Sequence, residues 1–115
     1  MKKLQIGLVL VFATSCSMAM AKKPFMDLFY TTYQIKPDST IAKAKCQLCH
    51  TKTFKMNPYG ADLKAELTKE GLKVVTVDVL KAVEPLDSDK DGFSNIDEIK
   101  ADTLPGDPTS FPPKK

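Results

Sequence analysis

The chain contains no arginine; all seventeen of its basic residues are lysine. Recognition of nucleic-acid bases relies on the bidentate guanidinium fork, so this absence argues against a nucleic-acid partner. There is one histidine, His50, which excludes any site built from two imidazoles of this chain. No internal repeat is present. The longest apolar run, Leu4 to Ala13, has ten residues, about half of what a bilayer-crossing helix needs. The mature chain is therefore expected to lack a transmembrane segment.

That short run has the context of an export signal. Lys2 and Lys3 precede it, and Ala19-Met20-Ala21 follows as an A-x-A cleavage site. Residues 1–21 read as a signal peptide, and residues 22–115 as one exported, periplasmic domain. A rival reading takes Ala13-Thr14-Ser15-Cys16 as a loose lipobox, in which Cys16 would carry a lipid anchor. The leucine expected three positions before the cysteine is missing. Either route removes Cys16 as a free thiol.

The remaining cysteines stand in Cys46-Gln47-Leu48-Cys49-His50. C-x-x-C-H is the attachment sequence of a c-type haem. Two thiols three positions apart lie on one side of a helical turn, where both reach the vinyl groups of one porphyrin. The adjoining imidazole supplies the proximal iron ligand. A thiol-disulfide pair would want a βαβ setting, and no strand-like alternation surrounds Cys46. A zinc site would want four ligands, which this chain does not bring together. With one histidine, a bis-histidine haem is excluded. The sixth ligand is expected from Met56 or Met26; otherwise the iron is open or takes lysine, water or a partner's ligand.

A second motif runs without a gap from Asp87 to Glu98, D-S-D-K-D-G-F-S-N-I-D-E, and fits the calcium loop D-x-[DN]-x-[DN]-G-x5-E. Asp87, Asp89 and Asp91 offer hard carboxylate oxygens, and Gly92 allows the sharp turn. Phe93 contributes a carbonyl, Asn95 a contact through water, and Glu98 a bidentate carboxylate. Asp102 or Asp107 is a candidate for an added ligand. Pro85 cuts a full entering helix, Ser94 replaces the usual aliphatic residue, and no second loop follows. These departures point to a lone structural Ca2+ site that folds the acidic tail onto the rest of the domain.

The reading is all-α: a small helical domain around the covalent haem. Helices are expected from Pro24 to Tyr33, from Asp38 or Ser39 toward Cys46, from Asn57-Pro58 through Leu67 to Gly71, and from Thr76 to Val83. The β-rich composition of Val74 to Val79 leaves a strand open there. The proline-rich tail, residues 104–115, reads as an ordered turn with a loose end. Charge is divided along the chain. Residues 22–60 hold seven lysines and two acids; residues 61–115 hold eight lysines and twelve acids. Lys43, Lys45, Lys52 and Lys55 flank the haem motif and suit a redox partner with an acidic docking surface.

The leader, Cys46-x-x-Cys49-His50, Asn57-Pro58-Tyr59-Gly60 and the terminal D-x-D-x-D-G-x-x-N-x-x-E together resemble small bacterial periplasmic monohaem c-type cytochromes. The resemblance implies thioethers at Cys46 and Cys49, proximal ligation by His50, and electron transfer without catalysis. The chain departs from ordinary members in having no methionine far downstream of the motif. Two alternatives stand beside electron transfer: a haem-based gas binder or sensor with an open sixth position, and a calcium-dependent interaction module that carries haem.

Overall fold

The computed structural model describes residues 24–114, so the expected signal peptide and Cys16 lie outside the described residues. Five α-helices follow in chain order: α1 Pro24–Tyr33, α2 Thr40–Ala44, α3 Pro58–Lys69, α4 Val77–Val83 and α5 Asn95–Lys100. A 3-10 helix, Lys45–Leu48, continues α2 into the cysteine motif. The described residues form no strand; their one β feature is an isolated antiparallel bridge between His50 and Met56.

Most helix starts are set by a polar side chain. Ser39 accepts from the Ala42 N–H, Asn57 from Gly60, Thr76 from Val79 and Ser94 from Asp97, each satisfying an amide that the helix itself leaves unpaired. Thr76 also explains why Val77 to Val83 is helical despite its β-branched composition; the expected alternative of a strand over Val74–Val79 does not form. Gly71 at φ +66° follows α3 and lets the chain turn away. The last element, α5, begins inside the acidic loop and ends at Lys100.

The buried core draws on every element. Phe29, Ile41, Leu48, Tyr59, Leu80, Val79, Val83, Leu63 and Ile99 form one cluster with Cys49. Phe29 lies at its aromatic centre, with ring centroids 4.9 Å from Tyr33 and 6.3 Å from Tyr59. Tyr33 reaches across to α4, donating to the Glu84 carboxylate at 3.0 Å. Phe25 and Leu28 of α1 are partly buried and pack at the edge of the cluster. The tail is ordered further than its proline content suggests. Ser110 Oγ accepts from the Leu104 N–H, Pro105 is buried, and Phe111 stacks on Phe93 at 6.4 Å with the rings 3° from parallel.

One buried side chain ties the cysteine segment to α3. Asn57 Nδ2 donates to the carbonyls of Gln47 and Leu48, at 3.1 and 3.0 Å, while its Oδ1 caps α3 through the Gly60 N–H at 2.9 Å. Removing it strips a helix cap and leaves two carbonyls without their donor. Asn57→Ala is expected to lower unfolding free energy in urea by about 2–3 kcal/mol. Asn57→Asp keeps the cap acceptor but loses both donated bonds, so its loss should equal or exceed that of a cap-only defect. A stability loss below measurement error in either variant would contradict this role.

Candidate functional site

Two sites emerge, one around His50 and one in the acidic loop. The first is built on a single turn of backbone. The N–H groups of Cys49 and His50 both donate to the Cys46 carbonyl, at 3.3 and 2.9 Å, so Cys46, Cys49 and His50 are held within one helical turn. The chain then reverses. Phe54 N–H bonds to Thr51, Thr51 N–H to Lys55, and Asn57 N–H to the Cys49 carbonyl at 2.9 Å. This hairpin brings Met56 opposite His50 and delivers the start of α3 onto the cysteine motif. The contact is close enough that a Cβ at Gly60 would lie on the Cys49 carbonyl. The spacing of Gly60 behind Asn57-Pro58 hints at a helix start in sequence; nothing there announces the close approach.

Cys49 and His50 open onto a cavity of about 290 Å³ that Phe25, Met56, Leu63, Lys64, Leu67 and Val75 also line. The imidazole has a buried nitrogen, Nδ1, with no hydrogen-bond partner, an arrangement that costs free energy unless a ligand or solvent serves it. Burial, with a smaller contribution from Cys46, pushes the Cys49 thiol up to about 12. A reactive redox cysteine is tuned the other way, toward the thiolate. Cys46 is exposed and faces a separate surface groove of about 350 Å³ with Lys43, Lys45, Lys52 and Phe54. Phe54 is 78% exposed, so uncovered apolar surface lines the groove. One thiol, the imidazole and the apolar walls of the cavity, with the second thiol one helical turn away, suit the donor set and lining of a covalent porphyrin.

The two methionines proposed for the opposite side of the iron are placed differently. The flanking Thr51–Lys55 and Asn57–Cys49 bonds make His50 and Met56 a non-hydrogen-bonded antiparallel pair. Side chains of such a pair project side by side from one face. Met26 is half-buried on α1; its neighbour Phe25 is the α1 residue that lines the cavity.

In the acidic loop, Asp87, Asp89 and Asp91 bring one carboxylate oxygen each to within 4.8 Å of one another. The backbone wraps them: Asp87 accepts from the N–H groups of Asp91 and Gly92, and Asp91 accepts from Phe93. Gly92 holds φ +98°, which a side chain would resist. Glu98 is fully buried, and neither of its carboxylate oxygens has a protein partner; Asp89 Oδ2 and Asp91 Oδ2 are likewise buried and unpartnered. Burial first, then the charges of Asp89 and Asp91, push Glu98 up to about 9. Burial and the neighbouring Asp91 push Asp89 up to about 7. A buried set of carboxylate oxygens with no proton-donor partner is the electrostatic counterpart of a hard cation.

Three residues differ from the sequence expectation. Asn95 is not turned toward the carboxylates. It is fully buried, donates to Val83 O and Ser88 Oγ, and accepts from the Ser88 N–H, so its amide ties the loop to α4 because the interior has no water to serve those groups. Asp102 is not an additional loop ligand. Its two oxygens accept from the N–H groups of Thr40 and Ile41, 62 and 61 residues away. Asp107 Oδ1 is taken by the backbone and hydroxyl of Thr109 in a local turn. Sequence reading also missed Ser88, whose hydroxyl donates to Asp62 on α3 at 2.6 Å and anchors the loop there. Comparison with protein-family models, curated proteins and solved structures finds no match to this chain.

The raised carboxyls fix a sign for pH dependence in chelator. Glu98 and Asp89 bind protons more tightly folded than unfolded, so their favourable contribution is complete below about pH 4 and is lost as pH rises toward about 9. The Tm of chelated protein should therefore fall across that window, and saturating Ca2+ should remove this part of the slope. Glu98→Gln should raise the chelated Tm at pH 8 while abolishing the Ca2+ increment. A chelated Tm that climbs from pH 5 to 8 more than that of the Ca2+ form contradicts the assignment.

Proposed function

We propose that this chain is an exported, periplasmic electron-transfer protein that holds one covalent haem c and one structural Ca2+. The observation that carries the reading is the convergence of Cys49 and His50, within one turn of Cys46, on an apolar cavity. When bound, the haem supplies an iron that gains and loses one electron without bond rearrangement. The chain's residues supply the rest. Cys46 and Cys49 tether the porphyrin, and His50 holds the iron. Phe25, Leu63, Leu67 and Val75 exclude water from one face, which favours the less charged oxidation state. Asp87, Asp89, Asp91, Glu98 and the Phe93 carbonyl hold the Ca2+.

A haem tethered through the exposed Cys46 would lie near Lys43, Lys45, Lys52 and the uncovered Phe54. That patch suits a redox partner with an acidic docking surface, attracted over distance and seated on a small apolar contact. No described helix is long and apolar enough to cross a membrane.

A second reading, binding of a diatomic gas at an open sixth position, is favoured by the His50–Met56 bridge. His50 and Met56 project side by side from one face of the hairpin, which would hold Met56 beside the imidazole and not across a bound group from it. This arrangement supports Met26, or no methionine, over Met56 as the distal ligand.

Protein matured with the haem-attachment machinery should keep its chromophore through denaturing electrophoresis, and the Cys46→Ser/Cys49→Ser variant should lose it. Chromophore loss from the wild type under those conditions defeats the covalent haem reading. Rapid CO binding by the reduced protein would select the gas-binding reading. An unreactive reduced form whose spectrum changes in Met26→Ala, and not in Met56→Ala, would select six-coordinate electron transfer.

A further inference from the structure

The haem motif stands on weak local structure. α2 has five residues, too few to be stable by its own hydrogen bonds. The chain breaks from it through Lys45 at φ +50°, an uncommon conformation for a lysine. What holds this segment comes from elsewhere. Asp102 Oδ2 accepts the Thr40 N–H at 2.8 Å and Asp102 Oδ1 accepts the Ile41 N–H at 3.1 Å, so one carboxylate from the far end of the chain serves two of the amides that start α2. Further along, Gly106 presses on the side chain of Asn57, leaving no room for a Cβ. Asn57 is the residue that holds the Gln47 and Leu48 carbonyls.

Both contacts are made by the turn that leaves the acidic loop, and that turn is fastened to the loop's last carboxylate residue. The Glu98 carbonyl accepts the N–H groups of Ala101 and Thr103 and the Thr103 hydroxyl, at 3.1, 2.9 and 3.2 Å. Asp102 itself sits at φ +57°, with its N–H on Ile99. A carboxylate residue held in that conformation presents its side chain in one direction only while the flanking bonds last. The side chain of Glu98 is fully buried with both carboxylate oxygens unpartnered, outside the close cluster of the three aspartates; its backbone sets the turn.

We propose that residues 102–106 form a brace through which the calcium loop sets the conformation of the Cys46–His50 segment, with Asp102 as its positioning residue. The inference rests on the reading of loop 87–98 as a Ca2+ site and of Cys46–His50 as the haem attachment. Drawing Glu98 toward the three aspartates fixes the end of α5, the turn, and with it the cap on α2. Coupling of this kind is reciprocal: a haem-loaded, ordered 46–50 segment binds Ca2+ more tightly than a disordered one.

Amide hydrogen exchange on the haem-loaded protein, in Ca2+ and in chelator, reads the loop and the motif separately. In the wild type, Ca2+ should slow exchange at 87–98 and, by about tenfold, at 40–48. In Asp102→Ala, the loop should still respond while the response at 40–48 is lost; Asp102→Asn, which keeps one acceptor oxygen, should restore part of it. The midpoint potential and haem spectrum should shift with Ca2+ in the wild type and not in Asp102→Ala. A loop response without one at 40–48 in the wild type, or an undiminished 40–48 response in Asp102→Ala, overturns the brace while leaving the Ca2+ site standing. No response at the loop in the wild type overturns the Ca2+ reading and the brace together.

Discussion

The arrangement around Cys49 depends on one buried amide. The Asn57 side chain serves three backbone groups at once, two carbonyls from the cysteine segment and the Gly60 N–H in the first turn of α3. Its own N–H takes the Cys49 carbonyl. A 3-10 turn of four residues has little cohesion of its own, and here its end is pinned to a twelve-residue helix. The pinning brings the chain back along the cavity's edge and makes a glycine necessary at position 60. Cavity wall, imidazole and thiol therefore share one support, and it lies outside the five-residue motif itself.

The acidic loop is built on the opposite principle. Its geometry is well satisfied at the backbone, where N–H groups meet Asp87, Asp89 and Asp91. It is poorly satisfied at its centre, where buried oxygens of Asp89, Asp91 and Glu98 have no donors. The protein has placed carboxylate oxygens where no donor of its own reaches them. Elsewhere charge is handled cheaply: the lysine–glutamate pairs Lys69–Glu66 and Lys81–Glu84 are short-range surface contacts on helices, worth little to stability. The contrast marks the loop as the place where the fold has left an electrostatic requirement to be met from outside.

Much of this was legible in the sequence because it is local. Ser39, Asn57-Pro58 and Thr76 mark the starts of α2, α3 and α4 where capping chemistry puts them, and the order of ligands in 87–98 is written in consecutive residues. What was not legible is what joins distant segments. Asp102 reads as one more acid near an acidic loop; only the fold turns it toward Thr40 and Ile41. Asn95 occupies a ligand position in the motif, yet packing gives it the role of a buried bracket between loop and α4. The placing of Met56 beside His50 follows from a hairpin that no residue pattern announces. Pattern rules see neighbours along the chain, whereas these contacts are set by what the core forces together.

The bonds from Asp102 to Thr40 and Ile41 have a consequence for the order in which the molecule can be made. They close a loop of about sixty residues, and a chain that emerges amino-terminus first exposes residues 40–50 long before residue 102 follows. During that interval the cysteine motif has its thiols but not its final shape. Until then residues 40 and 41 lack the acceptor that caps α2, and the segment that follows them stands without that support. Residues 102–106, arriving late, then act as the closing step.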